Sequence, residues 1–164
     1  MSKKEDSLLP AGCTQEMVAK WKADLGDSVN VYNMSIPTSA AYYMPNNVKD
    51  AVSDQKDNID NIAAGLNGII NTDVYDSLAE HTKEYIYSRT DHHWQPLGAY
   101  YAAQVFADQS GIDFPDLDTY DKWELDGFVG TMYAYSNYNK KKKKYPDKFT
   151  YYKPDNNDDL TVKY

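Results

Sequence analysis

The sequence predicts an α/β fold: a parallel sheet with flanking helices, followed by a short irregular β-rich C-terminal segment. Three observations carry this prediction. Strand-like and helix-like stretches alternate as far as residue 112, the order that builds βαβ units. The chain has 164 residues, 41% of them hydrophobic and 26% charged, which suits one domain with a real core. Beyond residue 112 the composition turns to Tyr, Asp, Lys and Asn, with no long helical pattern.

The elements follow in order. Residues 14–25 place Met17, Val18, Trp21 and Leu25 at helical spacing, with Thr14 as N-cap. Gly26-Asp27 stops that helix, and 29–36 alternates in strand fashion up to Pro37. Residues 54–66 form an amphipathic helix with Ile59, Ile62, Ala63 and Leu66 on one face. Gly68 to Asn71 reads as a short buried strand, 73–82 as a helix and 84–88 as a further strand. Pro96 opens a helix that runs to about Gln109 with Leu97, Tyr101 and Val105 stacked, widened by Ala102 and Phe106, and Gly111 ends it. Short strands are expected near 122–126, 147–153 and 160–164. Lys140 to Lys144 is a run of like charges, read as a solvated hairpin tip or loop rather than a patch for an acidic polymer. The reading is one domain over residues 1–164, the front portion of a longer protein, with 113–164 as a Tyr/Lys/Asp-rich extension.

Charge excludes some partners. Lys and Arg number 17 against 25 Asp and Glu, a net charge of −8, which disfavours nucleic acid and anionic membranes. Arg89 is the sole arginine, so forked recognition of phosphate is poorly provided for. No stretch approaches the ~20 apolar residues of a membrane span, and the start of the chain shows no apolar signal segment. Cys13, the single cysteine, excludes an intrachain disulfide and Cys-rich metal sites. The 16 tyrosines suit wet clefts and sugar surfaces as well as half-exposed strand positions.

Chemistry concentrates in Asp91-His92-His93-Trp94. As an extended segment it would point Asp91 and His93 one way and His92 and Trp94 the other. Asp91 could then hold the Nδ1 proton of His93 and leave Nε2 free as a general base. The plainer alternative has Asp91 capping a turn and His93 satisfying a backbone carbonyl. Asp-His-His also occurs in manganese phosphoesterases, but those need further ligands upstream and His81 is the sole other histidine, so no metal and no cofactor is assigned.

The stretch from Glu84 through Thr90-Asp91-His92-His93-Trp94-Gln95-Pro96 to Tyr101 resembles the signature of the DHHW protein family, a relative of the alginate O-acetylation proteins. Ile36-Pro37-Thr38, Tyr42-Tyr43-Met44-Pro45 and Gly127-Phe128-Val129-Gly130-Thr131-Met132-Tyr133 are similar to flanking segments of that family. The resemblance implies an SGNH-hydrolase-like fold and a Ser–His–Asp mechanism on acyl esters of carbohydrates. It implies Asp91 and His93 as catalytic, and Trp94, Tyr87 and Tyr133 as walls or binding residues of the site. It also implies an extracytoplasmic protein whose partner is a polysaccharide or acetylated glycan.

The nucleophile departs from the pattern. No Asp-Ser-Phe-like segment follows Trp94, where the downstream serines are Ser110 and Ser136. Gly26-Asp27-Ser28 makes Ser28 a candidate, but an elbow needs a strand before the serine and a helix after it, and here the order is reversed. Asp6-Ser7 is a weaker match in the terminus. The sequence therefore points to an O-acetyltransferase or esterase domain lacking its own serine. The alternative is a non-catalytic carbohydrate-binding or scaffold module at the cell surface.

Overall fold

The structure, a computed structural model, describes residues 15–154. Thr14, Cys13, the Asp6-Ser7 pair and the strand expected at 160–164 lie outside the described residues. The chain falls into two compact units, one up to Tyr75 and one from Asp76 on.

The first unit is built on one βαβ crossover. Helix α1 (Gln15–Leu25) leads into strand β1 (Tyr32–Asn33), and helices α2 (Ala40–Tyr43) and α3 (Gln55–Ala64) connect to strand β2 (Ile70–Asn71). The strands pair in parallel, Tyr32 with Ile70 and Asn33 with Asn71. The strand expected over 29–36 shrinks to two residues because its partner is equally short. Gly68, at φ +70, turns the chain just before β2, and Asp73 caps the next helix just after it. A ladder cannot outrun its partner. Asp54, expected inside this helix, instead caps α3 by accepting from the Lys56 N–H at 2.7 Å. Ile59, Ile62 and Leu66 are buried as the amphipathic pattern requires. Helix α1 differs: Met17, Trp21 and Leu25, its expected inner face, are 40%, 46% and 50% exposed.

Helix α4 (Tyr75–Glu80) carries the chain into the second unit, where α5 (Pro96–Ser110) is the longest element. Pro96 stands at its first turn, and Gly111 ends it in the left-handed conformation at φ +70, with its N–H on the Ala107 and Asp108 carbonyls. The buried face of α5 is not the bulky stripe Leu97, Tyr101 and Val105, which stays half-buried, but Gly98, Ala102 and Ala107. A Cβ on Gly98 would sit 2.8 Å from the Ile86 carbonyl oxygen. Close backbone approach, rather than side-chain bulk, sets this contact.

Residues 84–88 do not form the expected strand. The Ile86 N–H bonds back to the Glu84 carbonyl at 3.0 Å, and the Ile86 carbonyl accepts from the Gln95 N–H at 2.8 Å. A single antiparallel bridge joins Tyr87 to Trp94. Backbone groups bonded within their own loop are not offered to a sheet.

Strands β3 (Asp121–Phe128) and β4 (Asp147–Lys153) pair antiparallel, Trp123 opposite Tyr151 and Phe128 opposite Asp147. Their connection holds helices α6 (Thr131–Tyr135) and α7 (Lys140–Lys144). The lysine run is thus one helical turn rather than a loop: Asn139 caps it by accepting from the Lys141 N–H at 2.9 Å. Lys142 also reaches the Arg89 carbonyl at 3.3 Å. Among the described residues no helix is long and apolar enough to cross a membrane.

Asp147, at the first residue of β4, is 1% exposed. It accepts from the Thr90 hydroxyl at 2.5 Å, the Thr90 N–H at 2.8 Å, the Arg89 N–H at 3.2 Å and Nε at 3.1 Å, and the Tyr85 hydroxyl. Burial pushes this carboxyl up. The hydrogen bonds from Thr90, Tyr85 and Arg89 pull it down by more, and its pKa lies below the ordinary value. A depressed pKa contributes stability that is present above the unfolded carboxylate value, near ~3.9, and is lost as pH falls through the folded value. Thermal stability should therefore fall with acidification below that point, and less steeply in Asp147→Asn. Asp147→Ala should cost about 3 kcal/mol in chemical denaturation, because it leaves the buried Thr90 donors unpaired and strips the Tyr85 hydroxyl of its acceptor.

Candidate active site

The site is a bend, residues 89–93, pinned from behind. Asp147 holds Arg89 and Thr90. From the segment after β3, the Gly130 N–H donates to the Thr90 hydroxyl at 3.1 Å, and the Met132 N–H to the Thr90 carbonyl at 2.9 Å. Thr90 is thereby tied on both sides, and Asp91 follows it with no slack.

Asp91 is 8% exposed and does two jobs. Its Oδ1 accepts from the His93 N–H at 2.9 Å, closing a turn over its own backbone, and meets His93 Nδ1 at 2.6 Å. Its Oδ2 accepts from the Thr131 N–H at 2.8 Å and hydroxyl at 3.1 Å. Burial alone would raise the Asp91 pKa. The N–H groups of Thr131 and His93 and the two side chains outweigh it, holding the carboxyl well below the usual range. An ionised Asp91 accepts the Nδ1 proton of His93, which assigns the tautomer and directs Nε2 outward. The His93 side chain is 67% exposed, so that nitrogen is open to a substrate hydroxyl.

Turn capping and histidine orientation are therefore not alternatives here. Both are performed by one oxygen of Asp91. The strict alternation expected of an extended segment fails for the same reason, since the turn bends the chain. His92 stacks on His93 with ring centroids 3.7 Å apart, and its Nδ1 lies 2.5 Å from the Thr131 hydroxyl. His92 thus belongs to the cluster.

Gly130 permits the clamp. A Cβ there would fall 2.2 Å from Asp91 Oδ2 and 2.4 Å from Asp91 Cβ. Nothing in spacing or periodicity singled out Gly130 and Thr131 as partners of Asp91. The visible signal was that both lie in the Gly127–Tyr133 segment.

The remaining expected residues are placed as follows. Trp94 is half-buried beside the bridge to Tyr87, which is 5% exposed, so both support the bend. Half-buried Tyr133 packs edge-on against Tyr138 at 5.3 Å. Ser110 donates to the Phe106 carbonyl at 2.8 Å within its helix, and Ser136 to the Tyr133 carbonyl at 3.0 Å. Among the described residues, His93 makes no hydrogen bond to a serine. Ser28 lies in the first unit, in the turn between α1 and β1, after Gly26 at φ +76. That is a helix-to-strand turn and not an elbow. In the same unit, a cavity of about 630 Å³ opens where β1 ends, lined by Asn33, Met34, Ile36, Thr38, Ile59 and Ile62 among others.

A search of curated proteins gave no match. Solved structures do match. A DHHW family protein from Eubacterium siraeum is 47% identical, with a TM-score of 0.84, over 85% of this chain and 46% of its own. The O-acetyltransferase domain of Pseudomonas putida AlgJ is 18% identical, with a TM-score of 0.52, over 84% of this chain and 54% of its own. Bacillus cereus PatB1, with a sulfonyl adduct, is 16% identical, with a TM-score of 0.56, over 86% of this chain and 49% of its own. The chain thus spans about half the length of these structures. The last two likenesses bear on the fold alone, an α/β arrangement of the SGNH-like kind with small sheets. The family model for DHHW proteins matches residues 14–163, and the chain is a member of the DHHW family.

Proposed function

We propose that this chain supplies the base half of an SGNH-type site that transfers or hydrolyses O-acetyl groups on carbohydrate, a polysaccharide or acetylated glycan outside the cytoplasm. The observation that carries the reading is the Asp91–His93 pair: a buried ionised carboxylate 2.6 Å from the Nδ1 of an exposed imidazole. The likeness to an O-acetyltransferase domain supports the class of reaction.

In this mechanism His93 Nε2 takes the proton of a serine as that serine attacks the acetyl carbonyl, and returns it to the leaving oxygen. Asp91 stays ionised, fixes the tautomer and stabilises the imidazolium. Backbone N–H groups stabilise the oxyanion. The serine comes from outside these 164 residues. Ser28 is the weaker candidate for it, because a helix precedes its turn and a strand follows, the reverse of an elbow.

A fluorophosphonate probe followed by peptide mapping tests the nucleophile. The expected result is no labelled serine in the folded chain and no ester turnover above that of His93→Ala. Label on Ser28, with turnover abolished by Ser28→Ala, would show a self-contained esterase. Glycan binding that survives His93→Ala, with no contribution of the pair to any turnover, would favour the non-catalytic module. Where the serine is supplied, Asp91→Asn should lower kcat by about 10⁴. Gly130→Ala should act on the pair itself, abolishing the low-field His93 Nδ1 proton signal while the remaining amide spectrum persists.

A further inference from the structure

We propose that helix α7 and the turn before it form a recognition surface for an anionic glycan, whose carboxylate or phosphate groups pair with the lysines of residues 140–144. The choice of a glycan among anionic polymers rests on the function proposed above. The sign of its charge rests on the loop itself.

The connection between β3 and β4 is tied to the bend at both ends. At its start the Gly130 N–H donates to the Thr90 hydroxyl, and the Thr131 N–H to Asp91 Oδ2. At its end Asp147 accepts from Thr90 and Arg89. Between these anchors Lys142 reaches the Arg89 carbonyl at 3.3 Å, and the ring of Tyr135 lies 6.1 Å from that of His92. The lysine turn is therefore held against the bend and does not stand at a free hairpin tip. A polymer lying on it passes beside the imidazoles.

Charge and strain both mark this connection. Between Asp126 and Asp147 the chain holds five lysines and no acidic residue, although Asp and Glu number 25 overall. Among the described residues none of the five lysines pairs with a carboxylate, and all but Lys142 are exposed. Lysines three and four positions apart in one turn repel each other, so the helix carries a charge that the fold does not balance. The turn that presents it is strained: Asn137 at φ +53 and Tyr138 at φ +56 are left-handed, which asparagine tolerates and tyrosine does not. Their N–H groups hold it in place, donating to the Ala134 and Tyr133 carbonyls at 2.9 Å. Lysine is a hydrated point charge without the fixed fork of arginine, so it suits charges repeated along a chain better than one planar group. Tyr135 and Tyr138, 75% and 64% exposed, add flat apolar faces with polar tips, which suit sugar rings. A densely charged polymer would also meet the acidic remainder of a chain of net charge −8, whereas a glycan with spaced charges needs this patch alone.

The test is calorimetric titration of the purified chain with three oligomers of equal length: a galacturonate oligomer, a sugar oligomer joined by phosphodiesters, and neutral dextran. At least one acidic oligomer should bind and dextran should not, the tighter of the two naming the anionic group. Affinity should fall as salt rises. The triple variant Lys140→Gln, Lys141→Gln, Lys143→Gln should weaken binding at least about tenfold and lose most of the salt dependence. Its thermal unfolding should come no lower than the parent's, because repulsion is removed. Tyr135→Ala should weaken binding and leave the salt dependence in place. The same charge change elsewhere, Lys20→Gln, Lys49→Gln, Lys83→Gln, should leave affinity unchanged. Dextran bound as well as the acidic oligomers, no oligomer bound, or full affinity in the first triple variant would overturn the proposal, as would tighter binding of a single-stranded oligonucleotide of equal charge. Binding needs no nucleophile. Lysine-dependent binding without turnover would therefore sink the acyl-transfer reading alone, and His93-dependent turnover without such binding would sink this inference alone.

Discussion

A carboxylate without water must be surrounded by donors, and Asp147 shows how far that requirement reaches. It sits where β4 begins, and its donors come from Tyr85, Arg89 and Thr90. Satisfying Asp147 therefore fixes the approach to the bend. Thr90 cannot shift without stripping two bonds from a buried charge. Arg89, the one arginine, serves this node rather than a ligand, its guanidinium also reaching the Pro146 carbonyl at 3.1 Å.

From Thr90 the constraint passes to Asp91, the second carboxylate in series. Both are held ionised by hydrogen bonds that outweigh the cost of burial. Their surroundings separate their roles. Every partner of Asp147 is scaffold, whereas Asp91 spends one oxygen on the scaffold at Thr131 and the other on His93. An imidazole anchored in this way has its tautomer and orientation set by the fold itself.

Much of this was legible in the residues. The long helix, its Pro96 start and Gly111 end, and the β3 and β4 strands follow from local rules that hold wherever a segment settles its own hydrogen bonds. The Asp91–His93 pair was legible because its partners are two residues apart. What escaped were features set by distant partners. Asp147 and Thr131 reach the bend from 57 and 40 positions away, and no periodicity encodes such a pairing. The strand at 84–88 failed likewise, since Ile86 gives its carbonyl to Gln95 rather than to a neighbouring strand. The half-buried stripe on α5 misled because Gly98 draws the backbones close, and the small residues are buried instead.

The long reach of Asp147 sets an order of events during synthesis. The DHHW tetrapeptide leaves the ribosome well before the strand that supplies its anchor. Until β4 arrives, Arg89 and Thr90 have no carboxylate to hold, and the bend is one conformation among many. Contacts of such large sequence separation form late, after the local helices. The nascent chain thus passes through a period in which α5 can be folded and the His93 imidazole still lacks its orientation, so the geometry of the bend is coupled to completion of the β3–β4 ribbon.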